Sequence, residues 1–113
     1  MSLIDNLEDL LRTGRDDAML RFGLGNAYLQ NKDYPKAIEH LRAAVTHDAE
    51  YSAAWKLLGK ALSLDGQTEQ AVDTYRHGIE AAKRQGDKQA VKEMHVFLKR
   101  LLKLRENGAQ LNQ

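Results

Sequence analysis

Four histidines are the residues of this sequence best suited to acid–base chemistry or metal binding. His40 and His47 lie seven apart on one predicted helix, which places them on the same side but about two turns from each other. That separation is too large for one metal ion, and no His-Glu-x-x-His or equivalent motif occurs. His77 and His95 are no better placed. We therefore expect four solvent-exposed helix histidines and no metal site.

The other candidates for catalysis also have simpler explanations. Gly23-x-Gly25 follows no predicted strand, so it is not a phosphate-binding loop. Asp16 and Asp17 stand at a helix start, where the helix dipole favours carboxylates. Ser52 and Ser63 have no base nearby in sequence. The sequence predicts neither catalysis nor a cofactor.

Lys56 and Lys60 suggest binding instead. They lie four residues apart, on one face of a predicted helix, where two like charges repel each other by a few tenths of a kcal/mol. A carboxylate between two ammonium groups would remove that repulsion by accepting charge-assisted hydrogen bonds. The pair therefore indicates either an anion site or two solvated lysines.

Composition is that of one globular domain. The 113 residues are 42% apolar and 29% charged, with a net charge of +1 and no cysteine, so disulfides and thiolate metal sites are excluded. Residues 1–9 are acidic rather than basic and apolar, unlike a signal peptide, and no stretch is long and apolar enough to cross a membrane. We expect a cytoplasmic protein.

The charge is unevenly distributed. Residues 1–82 carry 9 Lys/Arg and 13 Asp/Glu, whereas residues 83–113 carry 8 and 3. The basic residues of the last predicted helix could contact phosphates, but the helix has one aromatic residue and the sequence pI is only about 8.0. We interpret it as a solvated face and expect no nucleic-acid binding. The residues concerned are Lys88, Lys92, Lys99, Arg100, Lys103 and Arg105.

The elements that position these residues are predicted to be six helices. Ala, Leu, Lys, Arg, Glu and Gln dominate, and apolar residues recur at helical spacing between turn signals such as Asn31-Lys32-Asp33 and Asp65-Gly66. Pro35 stands in the opening turn of a helix, where its missing N–H costs little.

A period of 34 residues runs through the middle of the chain. Superposing 18–51 on 52–85 aligns five identical residues, and these are the small and apolar residues that two packed helices need. The identical pairs are Leu24/Leu58, Gly25/Gly59, Ala27/Ala61, Ala37/Ala71 and Arg42/Arg76. Gly25 and Gly59 are predicted to allow close approach of a neighbouring helix.

These residues resemble the tetratricopeptide-repeat signature, a tryptophan followed by Leu-Gly and later by Ala and an aromatic. The second repeat matches with Trp55-x-x-Leu58-Gly59, Ala71 and Tyr75, and the first with Leu24-Gly25-x-x-Tyr28 and Ala37. The first repeat departs from the signature at Arg21 and Ala49. The second departs from it at Leu62, Gly78 and Lys83.

The resemblance implies an all-α solenoid of antiparallel helix pairs within one domain, residues 1–113. The predicted parts are an N-terminal helix 2–12, repeats 18–51 and 52–85, a capping helix 86–106 and a frayed tail 107–113. Caps are expected because each repeat leaves one face uncovered.

In this family the first helix of each repeat lines a concave surface that binds a peptide or protein segment. The corresponding residues here are Met19, Phe22, Asn26, Leu29, Gln30, Lys56, Lys60, Ser63 and Leu64. Chaperone-binding members hold a C-terminal carboxylate with a Lys-and-Asn set. Asn26 matches that set, but Phe22 and Leu57 stand at two of its positions, so only a partial anion site is implied.

The expected function is therefore to bind an unidentified protein or peptide, with an acidic or C-terminal carboxylate segment as the favoured ligand. The alternative is a structural role as a homodimer, in which a second copy covers an apolar stripe of the last helix. That stripe consists of Met94, Phe97, Leu98, Leu101 and Leu102.

Overall fold

The computed structural model describes residues 2–111, with side chains as far as Gly108. It contains six helices, joined by short turns. They are α1 (Leu3–Arg12), α2 (Ala18–Gln30), α3 (Tyr34–His47), α4 (Ser52–Leu64), α5 (Thr68–Gln85) and α6 (Lys88–Leu111).

Side chains just ahead of the helices fix where several of them begin. Ser2 accepts a hydrogen bond from the Asp5 backbone N–H at 3.1 Å, and the Asp5 carboxylate accepts one in return from the Ser2 N–H, which is a capping box. Asp17 and Asp33 cap α2 and α3 by accepting from the backbone N–H three residues later.

The turns within the two repeats share one backbone geometry. Lys32 follows α2 with φ 62°, and Gly66, 34 residues later, follows α4 with φ 79°. Both residues are in the left-handed region, which glycine adopts without steric cost and lysine does not. The repeat is therefore preserved in backbone conformation even where the residue type differs.

Two glycines bring the helices of each pair into close contact. A Cβ at Gly59 would lie 2.5 Å from Cε1 of Tyr75 on α5, and a Cβ at Gly25 would overlap Leu41 on α3. These contacts confirm the predicted close approach. Alanine 37 and Ala71, which are fully buried, fill the same interfaces from the second helix.

The last helix closes the core. Met94 of α6 is fully buried, and its sulfur occupies the space that a Cβ at Gly78 of α5 would need. Leu98 and Leu101 extend the same hydrophobic core. The glycine at position 78, where the repeat signature has alanine, thus allows α6 to pack closely on α5.

The first helices of successive layers form one face of the molecule. Helix α2 contacts α4, and α4 contacts α6. Helices α3 and α5 lie farther apart, and the long side chain of Arg42 spans between them to Gln70. The face formed by α2, α4 and α6 is consequently the inner, concave one.

The predicted fold class, an all-α solenoid of helix pairs, is confirmed. One boundary differs, because α6 continues to Leu111 instead of ending near residue 106. Asn107 and Gly108 are helical despite their low helix propensity, since a single glycine costs only about 1 kcal/mol within a helix. Residues 112–113 of the predicted tail lie outside the described residues.

Candidate functional site

A groove between α4 and α6 is the best-formed depression on the concave face, with a volume of about 290 Å³. Tyr75 of α5 lies at its base. Helix α4 contributes Lys60, Ser63 and Leu64, and α6 contributes Phe97, Arg100, Leu101 and Leu104. We call this set of residues the α4–α6 groove.

The walls of the α4–α6 groove are apolar. Leu64 and Leu104 are 51% and 65% exposed, which is high for leucine. Phe97 stacks on Tyr75 with ring centroids 5.8 Å apart, and burial raises the pKa of Tyr75 to about 12, so its hydroxyl stays neutral. An aliphatic group placed here would remove apolar surface from water.

The rim of the α4–α6 groove is cationic. The Arg100 guanidinium lies 5.9 Å from the Phe97 ring centroid, within the range of a cation–π contact. Among residues 2–108, no carboxylate forms an ion pair with Arg100 or Lys60. Both cations are therefore available to an anionic group.

Lys56 and Lys60 do not share one anion site. The Lys56 ammonium group lies 3.1 Å from the Glu93 carboxylate of α6, and its side chain is only 32% exposed. Glu93 thus neutralises the lysine and ties α4 to the cap. Arg100, rather than Lys56, is the second cation beside Lys60.

The residues expected from the first repeat are divided between three environments. Met19 is 69% exposed and Phe22 stacks on Tyr51 with centroids 5.0 Å apart, so both lie toward the concave face. Asn26 is half-buried on the same helix. These three residues extend the surface away from the α4–α6 groove along α2.

Leu29 and Gln30 do not contribute to that surface. Leu29 is 8% exposed and belongs to the hydrophobic core, because it lies one helical turn after Gly25, on the side that faces α3. Gln30 lines a separate small depression with Ser2 and Leu3, beside the start of α1.

Sequence reasoning missed the contribution of α6 to the groove. A signal was present at an offset of 36 residues, which aligns three buried residues of α4 with three of α6. The offset is 36 rather than 34 because α5 is longer than α3. The aligned pairs are Ala54/Ala90, Leu58/Met94 and Leu62/Leu98.

The expectation of exposed histidines was wrong for His40, which is 3% exposed. Its ring stacks on Tyr28 with centroids 5.5 Å apart, and Nδ1 lies 3.1 Å from an Arg21 guanidinium nitrogen. Because a guanidinium can only donate, Nδ1 accepts and the proton is on Nε2, which faces Glu8 at 3.4 Å.

This polar cluster attaches α1 to the first repeat. Tyr28 donates to Glu8 at 2.8 Å, and burial together with that hydrogen bond raises the pKa of Tyr28 to about 12. Arg21 also holds Asp16, and its hydrogen bond keeps the pKa of that carboxyl far below its usual range. The cluster is structural, since its polar groups bond one another.

Two further kinds of site are not found within residues 2–111. No three His, Asp or Glu side chains are grouped so as to hold a metal ion. None of the described helices has the length and hydropathy needed to cross a membrane.

Comparison with known proteins decides the family. The family model "Tetratricopeptide repeat" matches residues 28–93. The chain belongs to the tetratricopeptide-repeat family. Members of this family generally mediate protein–protein interactions and are typically non-enzymatic scaffolds. The resemblance found in the sequence signature is thereby confirmed.

Individual relatives agree in sequence and in structure. The "TPR repeat-containing protein PA0015" of Pseudomonas aeruginosa is 48% identical over 99 residues, which are 88% of this chain and 94% of that protein. Protein BPP2914 of Bordetella parapertussis has a solution structure with TM-score 0.81 and 40% identity, covering 100% of this chain and 96% of its own. The Sgt2 TPR domain of Aspergillus fumigatus has TM-score 0.79 and 28% identity, covering 94% and 70%.

Proposed function

We propose that this tetratricopeptide-repeat protein binds a segment of another protein along its concave face, with the α4–α6 groove as the main contact. One observation carries the proposal: two cations without a carboxylate partner, Lys60 and Arg100, border apolar walls on the face that this fold leaves open. An aliphatic side chain could cover Leu64 and Leu104, while a neighbouring carboxylate accepts from both cations.

The ligand chemistry follows from that arrangement. The segment carries an aliphatic residue next to a carboxylate, either an Asp or Glu side chain or a free C-terminus. Phe22 and Asn26 of α2 would contact residues farther along the same segment. The proposed partner is a protein or peptide, and the α4–α6 groove calls for no cofactor.

A peptide library with free and amidated C-termini, selected on the immobilised protein, tests this function. We expect enriched peptides to combine aliphatic and acidic residues. Reversing the charge and polarity of the groove in Lys60→Glu/Leu64→Asp should raise the Kd of such a peptide by about tenfold or more, a loss of about 1.4 kcal/mol.

The matched control is Lys99→Glu/Lys103→Glu, which reverses two exposed charges on the other side of α6. This variant should bind selected peptides within about twofold of wild type, because exposed charges away from the contact contribute little. Loss of binding in the control but not in the groove variant would contradict the proposal. Amidation distinguishes a terminal carboxylate from an internal acid.

A further inference from the structure

The outer face of α1 is apolar and uncovered within residues 2–111. Leu3 and Leu10 are seven residues apart and therefore lie on one side of the helix, and they are 64% and 40% exposed. In α3 the residues 34 positions later, Ala37 and Ala44, are fully buried. The side of α1 that corresponds to a buried interface in the repeats is thus open to solvent.

The outer face of α6 is also open, and its charge is opposite. Leu102 is half-buried at a depression of about 500 Å³, bordered by Lys99, Lys103 and Glu106. Neither Lys99 nor Lys103 forms an ion pair with another residue of the range 2–108. This depression is on the side of α6 away from Phe97 and Leu104, so it is separate from most of the α4–α6 groove.

The layer geometry relates the two faces. Helix α1 packs on α2 as α3 packs on α4, so α1 occupies the place of a second helix. Helix α6 follows α4 in its buried pattern, so α6 occupies the place of a first helix. In α4, Trp55 and Gly59 border α5; the matching residues of α6 are Val91 and His95, and they border no described helix.

We propose that a second copy of this chain covers these faces, with α1 of one copy packed on the outer face of α6 of the next. Together the two helices resemble the pair that each repeat contains. Their charges are complementary: α1 has three carboxylates and one arginine, and α6 has six Lys/Arg and two glutamates. Because the two contacting surfaces differ, association is head-to-tail and extends into open chains or rings.

Two variants, each blocked at one end, test this arrangement in the full chain. Leu3→Lys/Leu10→Lys places cations on the α1 face, and Lys99→Glu/Lys103→Glu places carboxylates on the α6 face. By sedimentation velocity, we expect wild type to grow beyond a dimer as concentration rises, and each variant alone to associate at least about tenfold more weakly. An equimolar mixture of the two variants should form a one-to-one complex and nothing larger, because each retains one intact face.

Arg76→Glu/Lys83→Glu, which reverses two exposed charges on α5, is the control and should associate like wild type. Wild type that stays monomeric up to millimolar concentration would overturn the proposal. So would a dimer that the Leu3→Lys/Leu10→Lys variant still forms alone, because this result would indicate a symmetric contact through α6. Peptide binding in the α4–α6 groove is measured separately, so loss of either property leaves the other open to confirmation.

Discussion

His40 is a buried histidine whose neighbours include both signs of charge. Glu8 and Glu39 lie on one side of the ring, and Arg21 and Lys36 on the other. Burial lowers the pKa of His40 below its usual value, and the nearby glutamates only partly offset that effect. The ring is therefore neutral in the folded protein at a pH where an unfolded histidine already binds a proton.

We predict that the free energy of unfolding falls as pH drops from 7 to 5. The unfolded chain binds a proton near pH 6.5 while native His40 does not, so protons favour unfolding, with a slope of at most about 1.4 kcal/mol per pH unit. Urea denaturation at several pH values measures this slope. Asp16 has a lowered pKa, and its stabilising effect is lost only at pH values below 3.8, outside this window.

His40→Gln keeps one acceptor for Arg21 and one donor for Glu8, so the variant should fold and lose most of the slope. His95→Gln, at an exposed position on α6, should keep the wild-type slope. An unchanged slope in His40→Gln would assign the pH dependence to other groups.

Gly59 and Gly108 are both helical, but only the first is enclosed. Gly59→Leu should lower stability by roughly 1–3 kcal/mol or more, because the new side chain must displace the Tyr75 ring. Nothing lies within 4 Å of a Cβ at position 108, so Gly108→Leu should leave the melting temperature unchanged or raise it slightly, by its better helix propensity. Equal melting temperatures for the two variants would mean that the α4–α5 contact is not tight.

At the scale of elements, α6 is the part that the second repeat depends on most. Met94, Leu98 and Leu101 are buried only because α6 packs on α5 and α4. Without the helix, the corresponding surface of α5 around Gly78 would face water. A repeat array needs a polar outer surface at its end, and α6 provides it.

Removing residues 88–113 should therefore give a fragment that aggregates or melts well below the full chain. Light scattering and thermal denaturation, followed by circular dichroism, measure both effects. Truncation after Gly108 is the control and should behave like the full chain, since it retains every core residue of α6. A soluble 1–87 fragment that unfolds cooperatively would show that α6 is not a structural cap.

At the scale of the whole molecule, the sequence was sufficient for the repeats and insufficient for the site. Glycine and alanine at an interval of 34 residues predicted which helices pack in pairs, because close approach requires small side chains at fixed positions. The groove depends instead on how α6 is rotated relative to α4. That rotation brings Glu93 to Lys56 and Arg100 toward Lys60, and residues some 40 positions apart give no local signal of it.

Leu29 illustrates the same limit within one helix. Its position in the family pattern predicted a surface residue, but the face that α2 turns toward α3 also includes position 29. Family register identifies the helix that lines the concave face, whereas the burial of each side chain depends on the neighbours of that particular helix.

Every contact between helices joins neighbours in chain order or first helices of adjacent layers. The chain therefore does not have to bring its two ends together before native contacts form, a topology that favours rapid folding. During synthesis, each helix can pack on the preceding ones as it leaves the ribosome. The surface of α5 around Gly78 is the last to be covered, and it stays open to aggregation or to a chaperone until α6 has emerged.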